Sequence, residues 1–545
     1  MTDTNNTTPP PPDFPVTWDD PAEAEWTWDW DDMHMPYALR PLAADYIRTL
    51  GAGFNTCYEV FGGFPQRWHV RIVNAYAYFA YVDHLPADVV KANTERWVTV
   101  MRERADVTEP WWSKEVVPEL RVLERQIREV AVEDLSGPDL ADAWASAWAA
   151  VGRMWQLHFM AILGPYQILD DLADLYEAHV PDAQPGDALR LIQGTEHVLL
   201  DVAMATERLA AMVAANSELS AIVAGVAEGR ATMDALAAAP DGAALRDEIS
   251  AFLAEHGHLG QAVDDLAQPS WGEEPAIFLA ELAKRAARPT PGSADRRRRL
   301  EALARAQADE VRARLGSAPD VLARFEGLLA LARSIGPLTE VHNYWIDRLA
   351  QARIRALAMR VGARLAAHGV LEIAEDVLYL HRDEVGGLLQ APTDARALVQ
   401  ARRAEHARQA ASPPPRTIGR PPTAPEPSRF DGPRLTSDDP RIILGTGASA
   451  GIVRGTARLT FQPSEFARIQ AGDIIVCPSS NPSWVPVFEI AGGLVTNTGG
   501  VLSHAAVVAR EFGLPAVVGT GDATTRIADG QMLEIDGTLG IVRLL

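Results

Sequence analysis

Eight prolines fall between Ser412 and Arg434, at positions 413, 414, 415, 421, 422, 425, 427 and 433. Proline donates no backbone hydrogen bond, so a segment this rich in it builds no helix or sheet interior and stays extended. It divides the 545-residue chain into stretches of different texture. At ~3.1 Å per residue such a segment reaches ~70 Å at most. A preceding body of some 370 residues has a radius of gyration of roughly 21 Å. The residues after the prolines can therefore be carried from one side of that body to another.

Ahead of the prolines, from about Leu39 to about Gln390, apolar residues recur three and four apart, which predicts helix. Val117, Leu120, Leu123 and Ile127 make one stripe, and Val198, Val202, Ala205 and Leu209 another. Breaks fall at Gly164-Pro165, Pro185-Gly186, 289–292 and Gly336-Pro337. Short strands could hide inside this region. Near its start Trp26, Trp28 and Trp30 alternate with polar residues, as an extended strap burying one face would require. After the prolines, short β-rich runs (Ile474-Ile475-Val476, Gly493-Leu494-Val495, Ala516-Val517-Val518) alternate with glycine turns and one helix, about Ser503 to Phe512. The expected fold is multidomain: a disordered lead-in (1–15), a large mainly α-helical domain (16–400), a Pro-rich linker (401–440) and a small α/β domain (441–545).

Lys plus Arg number 50 and Asp plus Glu 73, a net charge of -23. Phosphate backbones need a positive field, so nucleic acid is not the expected partner. Cys57 and Cys477 are the only cysteines, which excludes a disulfide scaffold or a cysteine-built metal site. With no signal peptide and no apolar run of ~18 residues, no membrane partner is expected and the chain reads as cytoplasmic.

The stretch with chemistry in it is Thr496-Asn497-Thr498-Gly499-Gly500-Val501-Leu502-Ser503-His504. A strand ends near Val495, two glycines come next, and His504 stands at the start of a helix. Glycines permit close backbone approach, and a helix N-terminus presents unpaired N–H groups to an anion. Thr498, Gly499, Gly500 and Ser503 are therefore a candidate phosphate-binding loop. An imidazole with an ordinary pKa of ~6.5 is largely neutral at pH 7 and can act as a nucleophile. Arg510, nearly two turns on, could neutralise a phosphoryl group. A histidine that merely caps a helix is the alternative reading of the residues alone.

Gly445-Thr446-Gly447-Ala448-Ser449, the His504 stretch, Ala509-Arg510-Glu511-Phe512-Gly513-Leu514-Pro515 and Asp529-Gly530-Gln531 together resemble the phosphohistidine swivelling domain of phosphoenolpyruvate-utilising enzymes. The resemblance implies that His504 is phosphorylated and hands the group on. Many members carry a hydroxyl residue two places before the histidine; this chain has Leu502. Leu502-Ser503-His504 and the run Asn481-Pro482-Ser483-Trp484 are more similar to the rifampin phosphotransferase branch. Shorter pieces of the helical region look like that branch's substrate-binding domain: His34-Met35-Pro36, Pro269-Ser270-Trp271-Gly272-Glu273 and Glu340 to Asp347. No ATP-grasp domain and no glycine-rich phosphate loop is recognisable near the start. The resemblance then implies a two-component dikinase of the phenylphosphate synthase kind, in which a separate ATP-grasp subunit holds ATP and Mg2+.

Glu340, Asn343, Tyr344 and Asp347 recur three and four apart and are expected on one helix face. Glu340, Asn343, His34 and Trp271 are the candidate acceptor-binding residues, and His342 or Tyr344 the candidate base. Each has a bland alternative: a polar network for the helix face, a surface strap for His34, core for tryptophan. His256-Gly257-His258 with Asp264 and Asp265 matches no metal-ligand spacing, so no metal site is expected. Arg296 to Arg299 reads as a solvated helix start or a patch for an acidic partner. The expected function is transfer of a phosphoryl group through His504 to a small-molecule hydroxyl, preferably phenolic. An antibiotic phosphotransferase of the rifampin type and a non-catalytic phosphocarrier are the alternatives.

Overall fold

The computed structural model describes residues 14–32, 34–61, 67–82, 86–181, 183, 186–225, 233–260, 265–287, 292–421, 437, 439–461, 463–480, 484–488, 490–501 and 503–545. Among them no helix is long and apolar enough to cross a membrane. The lead-in, Met33, Asp264, residues 422–436, 481–483 and Leu502 lie outside the described residues. Two compact units interleave along the chain: Met1–Gly164, Asp264–Gln268 and Trp345–Pro425 form the first, and Pro165–Val263, Pro269–Tyr344 and Glu426–Leu545 the second.

The first unit is mainly helical, with Pro41–Val60, Ala87–Trp111, Val117–Arg128, Arg348–Ala367 and Arg396–Ala410 among its helices. It also holds an antiparallel sheet that the helical periodicity hides. Strands β1 (Thr27–Trp30), β2 (Arg67–Val73), β3 (Tyr76–Val82) and β4 (Thr417–Gly419) lie in the order β2-β3-β1-β4. The β2–β3 hairpin turns through Asn74 and Ala75, both at positive φ (48° and 69°), the backbone that a two-residue hairpin turn demands. Trp28 is buried, and Trp26 and Trp30 pack on the same cluster with Tyr76, Tyr78 and Ile418.

The expected linker is partly folded. Residues 401–410 complete the helix Arg396–Ala410, and Thr417–Gly419 pairs with β1. The reason lies between the prolines: Ile418 has an apolar side chain to bury against Trp28, and the backbone around it is donor-competent.

The second unit joins a set of helices to an eight-stranded sheet. The helices include Val198–Ala214, Gly242–His256, Pro275–Ala287, Ser293–Leu315, Pro319–Ile335 and the short Leu338–His342. The sheet comprises β5 (Ile442–Leu444), β6 (Thr446–Ser449), β7 (Ile452–Leu459), β8 (Ile474–Cys477), β9 (Gly493–Thr496), β10 (Ala516–Val518), β11 (Met532–Asp536) and β12 (Ile541–Leu544). Its order is β5-β12-β11-β7-β8-β9-β10-β6. The central strands β7, β8, β9 and β10 are parallel; the flanking pairs are antiparallel. β8, β9 and β10 are buried throughout, as parallel strands covered on both faces must be. The strand period divides them: Ile475, Cys477 and Leu494 face one core, Ile474, Val476 and Val495 the other.

Parallel strands need crossovers. The one between β9 and β10 is the helix His504–Phe512, whose Ala505, Ala506, Val508 and Ala509 fill the first of those cores. Its N-terminus therefore opens at the carboxyl end of β9, where open α/β sheets place ligands.

Candidate active site

Gly499 makes the turn out of β9. Its φ of +108° is open to glycine, and a Cβ there would lie 2.8 Å from Ser503 Oγ. Thr498 is tied down by its N–H (3.0 Å) and its hydroxyl (3.1 Å), both donating to Pro478 O. Gly500 O accepts from Ser503 N–H at 3.0 Å, which leads the chain into the helix with Ser503 as N-cap. The Ser503 hydroxyl caps nothing and is buried without a hydrogen-bond partner among the described residues.

His504 comes next, with its side chain 13% exposed. Its Nδ1 lies 3.0 Å from Glu340 Oε2. A carboxylate only accepts, so Nδ1 carries the proton and the neutral ring keeps its lone pair on Nε2. That Nε2 is buried and has no partner among the described residues. A nucleophilic nitrogen, an unpaired hydroxyl and the N–H groups of a helix start thus share one place. Unpaired buried polar atoms cost free energy unless something engages them: an electrophilic phosphorus would take the Nε2 lone pair, and phosphoryl oxygens would accept from the Ser503 hydroxyl and the helix N–H groups.

Arg510 departs from expectation. Its guanidinium is buried and donates to Ala448 O at 3.1 Å, so it braces the helix on β6. Burial pushes its pKa down to about 10, with Glu511 and Glu340 pulling the other way; it remains a cation at neutral pH. Glu340, expected to face the acceptor, instead holds His504.

The helix face expected to carry Glu340, Asn343, Tyr344 and Asp347 is not one face. The backbone opens to a π turn over Asn343–Asp347, which breaks the 3.6-residue repeat. Tyr344 hydroxyl lies 2.7 Å from His256 Nδ1, and His258 Nε2–H donates to Tyr344 O at 3.1 Å. Burial lowers the pKa of His256, so its imidazole is neutral. His342 Nδ1–H donates to Leu338 O at 2.6 Å. Asp347 belongs to the first unit, where it meets His158 Nδ1 at 2.6 Å. Trp271 stacks among Phe252 and Phe278, with ring centroids 6.1 and 5.0 Å away, and Phe252 in turn touches His256 at 4.9 Å. Trp271, His256 and Tyr344 are therefore neighbours in one aromatic cluster. His34 lies in the first unit, exposed, with Nδ1 2.9 Å from Asp31 Oδ2.

Two residues absent from the sequence-based candidates complete the surroundings. His197 Nε2 lies 3.4 Å from Glu511 Oε1 on the His504 helix. The basic run, expected to be solvated, is engaged with its own chain: Arg296 sits 4.5 Å over the Phe512 ring, and Arg297 pairs with Glu196 at 3.2 Å.

Two family models match the chain. The family model "PEP-utilising enzyme, mobile domain" matches residues 469–540, and "Rifampicin phosphotransferase fourth domain" matches 146–340. A chondramide synthase from Chondromyces crocatus is 30% identical over 98% of this chain and 14% of its own. A rifampicin phosphotransferase from Streptomyces sviceus is 32% identical over 75% of this chain and 47% of its own, and one from Bacillus subtilis 29% over 57% and 36%. The chain spans less than half the length of these relatives. Among solved structures, an NMR structure of Enzyme I matches over 40% of this chain and 63% of that one, at 15% identity and a TM-score of 0.14, too low to bear on the fold. The chain thus joins a region similar to the fourth domain of rifampicin phosphotransferase, over 146–340, to one similar to the mobile domain of PEP-utilising enzymes, over 469–540.

Proposed function

We propose that this chain carries a phosphoryl group on His504 Nε2 and delivers it to the hydroxyl of a small molecule. The observation that carries the reading is the His504–Glu340 pair. A proton held on Nδ1 by a carboxylate leaves Nε2 as the nucleophile beside an unpaired Ser503 hydroxyl. In the loading step Nε2 attacks the β phosphorus of ATP: an N–P bond forms as the bond from that phosphorus to the AMP oxygen breaks, AMP leaves with the electron pair, and water then releases the γ phosphate as inorganic phosphate. In the delivery step the acceptor oxygen attacks phosphorus, the P–N bond breaks, and its electron pair returns to Nε2. The acceptor's proton needs a base. We assign it to Tyr344, which can pass it to the neutral His256 it already touches. Tyr344 stands one turn after Glu340 and beside the Trp271 cluster, an apolar setting for an aromatic acceptor.

A separate ATP-grasp subunit is assigned the loading step, with ATP and Mg2+ bound to it, and the α/β domain travels between the two reactions so that each excludes water. A phenol is the preferred acceptor, because its pKa of ~10 lies far below that of an alkyl alcohol. The names of the rifampicin phosphotransferase relatives support a second reading, a bulky antibiotic hydroxyl. The test is discharge. Chain pre-loaded by phosphoramidate is mixed with a panel of phenols and rifamycins, and loss of acid-labile phosphate is followed together with the new phosphate ester. Phenyl phosphate esters support the first reading and rifamycin phosphate the second. A phosphohistidine that no hydroxyl compound discharges counts against both.

A further inference from the structure

The last turn of the His504 helix is partnered at three consecutive positions. Gln193 Nε2 donates to Arg510 O at 3.2 Å, Glu511 meets His197, and Phe512 lies under Arg296. Glu511 stands seven residues after His504, two helical turns, so both project from one face. Each meets a titratable partner of opposite kind: the histidine of the helix meets a carboxylate, Glu340, and the carboxylate of the helix meets a histidine, His197. Two inverted pairs at two-turn spacing fix both the position of the helix and its rotation about its axis. A slide or roll breaks both at once.

We propose that Glu511 and His197 are a positioning latch, which seats the phosphoryl-carrying helix with His504 against Glu340 and releases it when the pair is uncharged. This rests on the reading of His504 as the carrier. Three carboxylates act electrostatically on His197: Glu511 from the His504 helix, which it touches, Glu340 from Leu338–His342 and Asp201 from Val198–Ala214. Burial alone would discharge His197, but these carboxylates hold its pKa above the ordinary value. Burial would likewise raise Glu511, but His197 and Arg510 hold it below the ordinary carboxylate range. Both members are thus ionised together at pH values between the lowered Glu511 pKa and the raised His197 pKa. His197 gains its raised pKa on seating, so seating is favoured below that pKa and weakens as pH rises through it.

Hydrogen exchange on the full chain, corrected for intrinsic rates, tests the latch. Glu511→Gln and His197→Gln are each expected to lower protection across residues 504–512 and 187–193 by about tenfold or more, as loss of a hydrogen bond to a charged group would. The double variant is expected to lose no more than either single one. Strands β11 and β12, which carry no latch residue, keep their protection. In the wild type, protection of the helix falls as pH rises through the His197 titration, and His197→Gln lacks that fall. Unchanged helix protection in the variants overturns the latch, and so does a loss shared equally by β11 and β12. Phosphoramidate labelling separates this from the carrier reading. Absence of acid-labile label on the wild type defeats the carrier, while the exchange result still decides the latch.

Discussion

In the proposed reaction a single hydrogen bond, from His504 Nδ1 to Glu340, selects Nε2 as the nucleophile. Replacing Glu340 by Gln lets the amide donate as well as accept, and the tautomer is no longer imposed. A hydrogen bond to a charged group contributes about 1.5–3 kcal/mol, so Glu340→Gln should slow phosphoryl delivery by roughly ten- to a hundredfold. Loading by phosphoramidate should fall less, since the ring is still present. Single-turnover discharge of the pre-loaded chain measures the difference. The two thiols are held unreactive by burial. Cys57 is buried and its thiol is pushed up to about 12, and Cys477 is fully buried and pushed higher still. Neither should react with a disulfide reagent in the native protein at pH 8, and both should react after denaturation; counting thiols in the two states checks this.

Among the elements, the α/β strands were legible because their apolar runs are short and glycine-bounded, and the His504 helix because two glycines precede it. The β2–β3 hairpin was not. Its strands are embedded in helical sequence, and its turn uses Asn74-Ala75, which lacks the glycine that usually signals such a turn. Ala75 pays for that with a left-handed backbone. Ala75→Gly should raise stability by a few tenths to about 1 kcal/mol, seen as a higher Tm. The π turn at Asn343–Asp347 was illegible for a different reason: a three- or four-residue spacing assumes the regular repeat that the turn abolishes. Capping was better hidden still. Asp376 accepts from the N–H groups of Glu372 (3.0 Å) and Ile373 (3.1 Å) and from Arg403 (2.6 Å). Burial works against its ionisation, but Arg403 and these N–H groups hold its pKa below the ordinary range. A depressed carboxylate stabilises above its unfolded pKa, and that stabilisation is lost as pH falls through the folded value. Asp376→Asn should therefore cost about 1–3 kcal/mol at pH 7, and the gap to wild type should close below about pH 4 in urea denaturation at each pH.

For the whole molecule, the motif around His504 is local and readable, whereas its partners are not. Glu340 lies 164 residues before His504, and no periodicity links them. His197 and Glu511 meet because the crossover helix packs on the preceding helices, a tertiary fact. The basic run Arg296 to Arg299 illustrates the same point: its charge suggested solvent or a foreign partner, and its place in the fold gives Arg296 to Phe512. The proposed function requires that one histidine, His504, carry the phosphoryl group. The direct measurement is labelling with ATP carrying radioactive phosphorus at the β position, and in parallel at the γ position, in lysate of the native host, using tagged wild type and His504→Ala. Acid-labile β-label on the wild type and none on His504→Ala is the predicted result. Equal labelling of the two proteins, or no label on the wild type in lysate that contains an ATP-grasp partner, would contradict it.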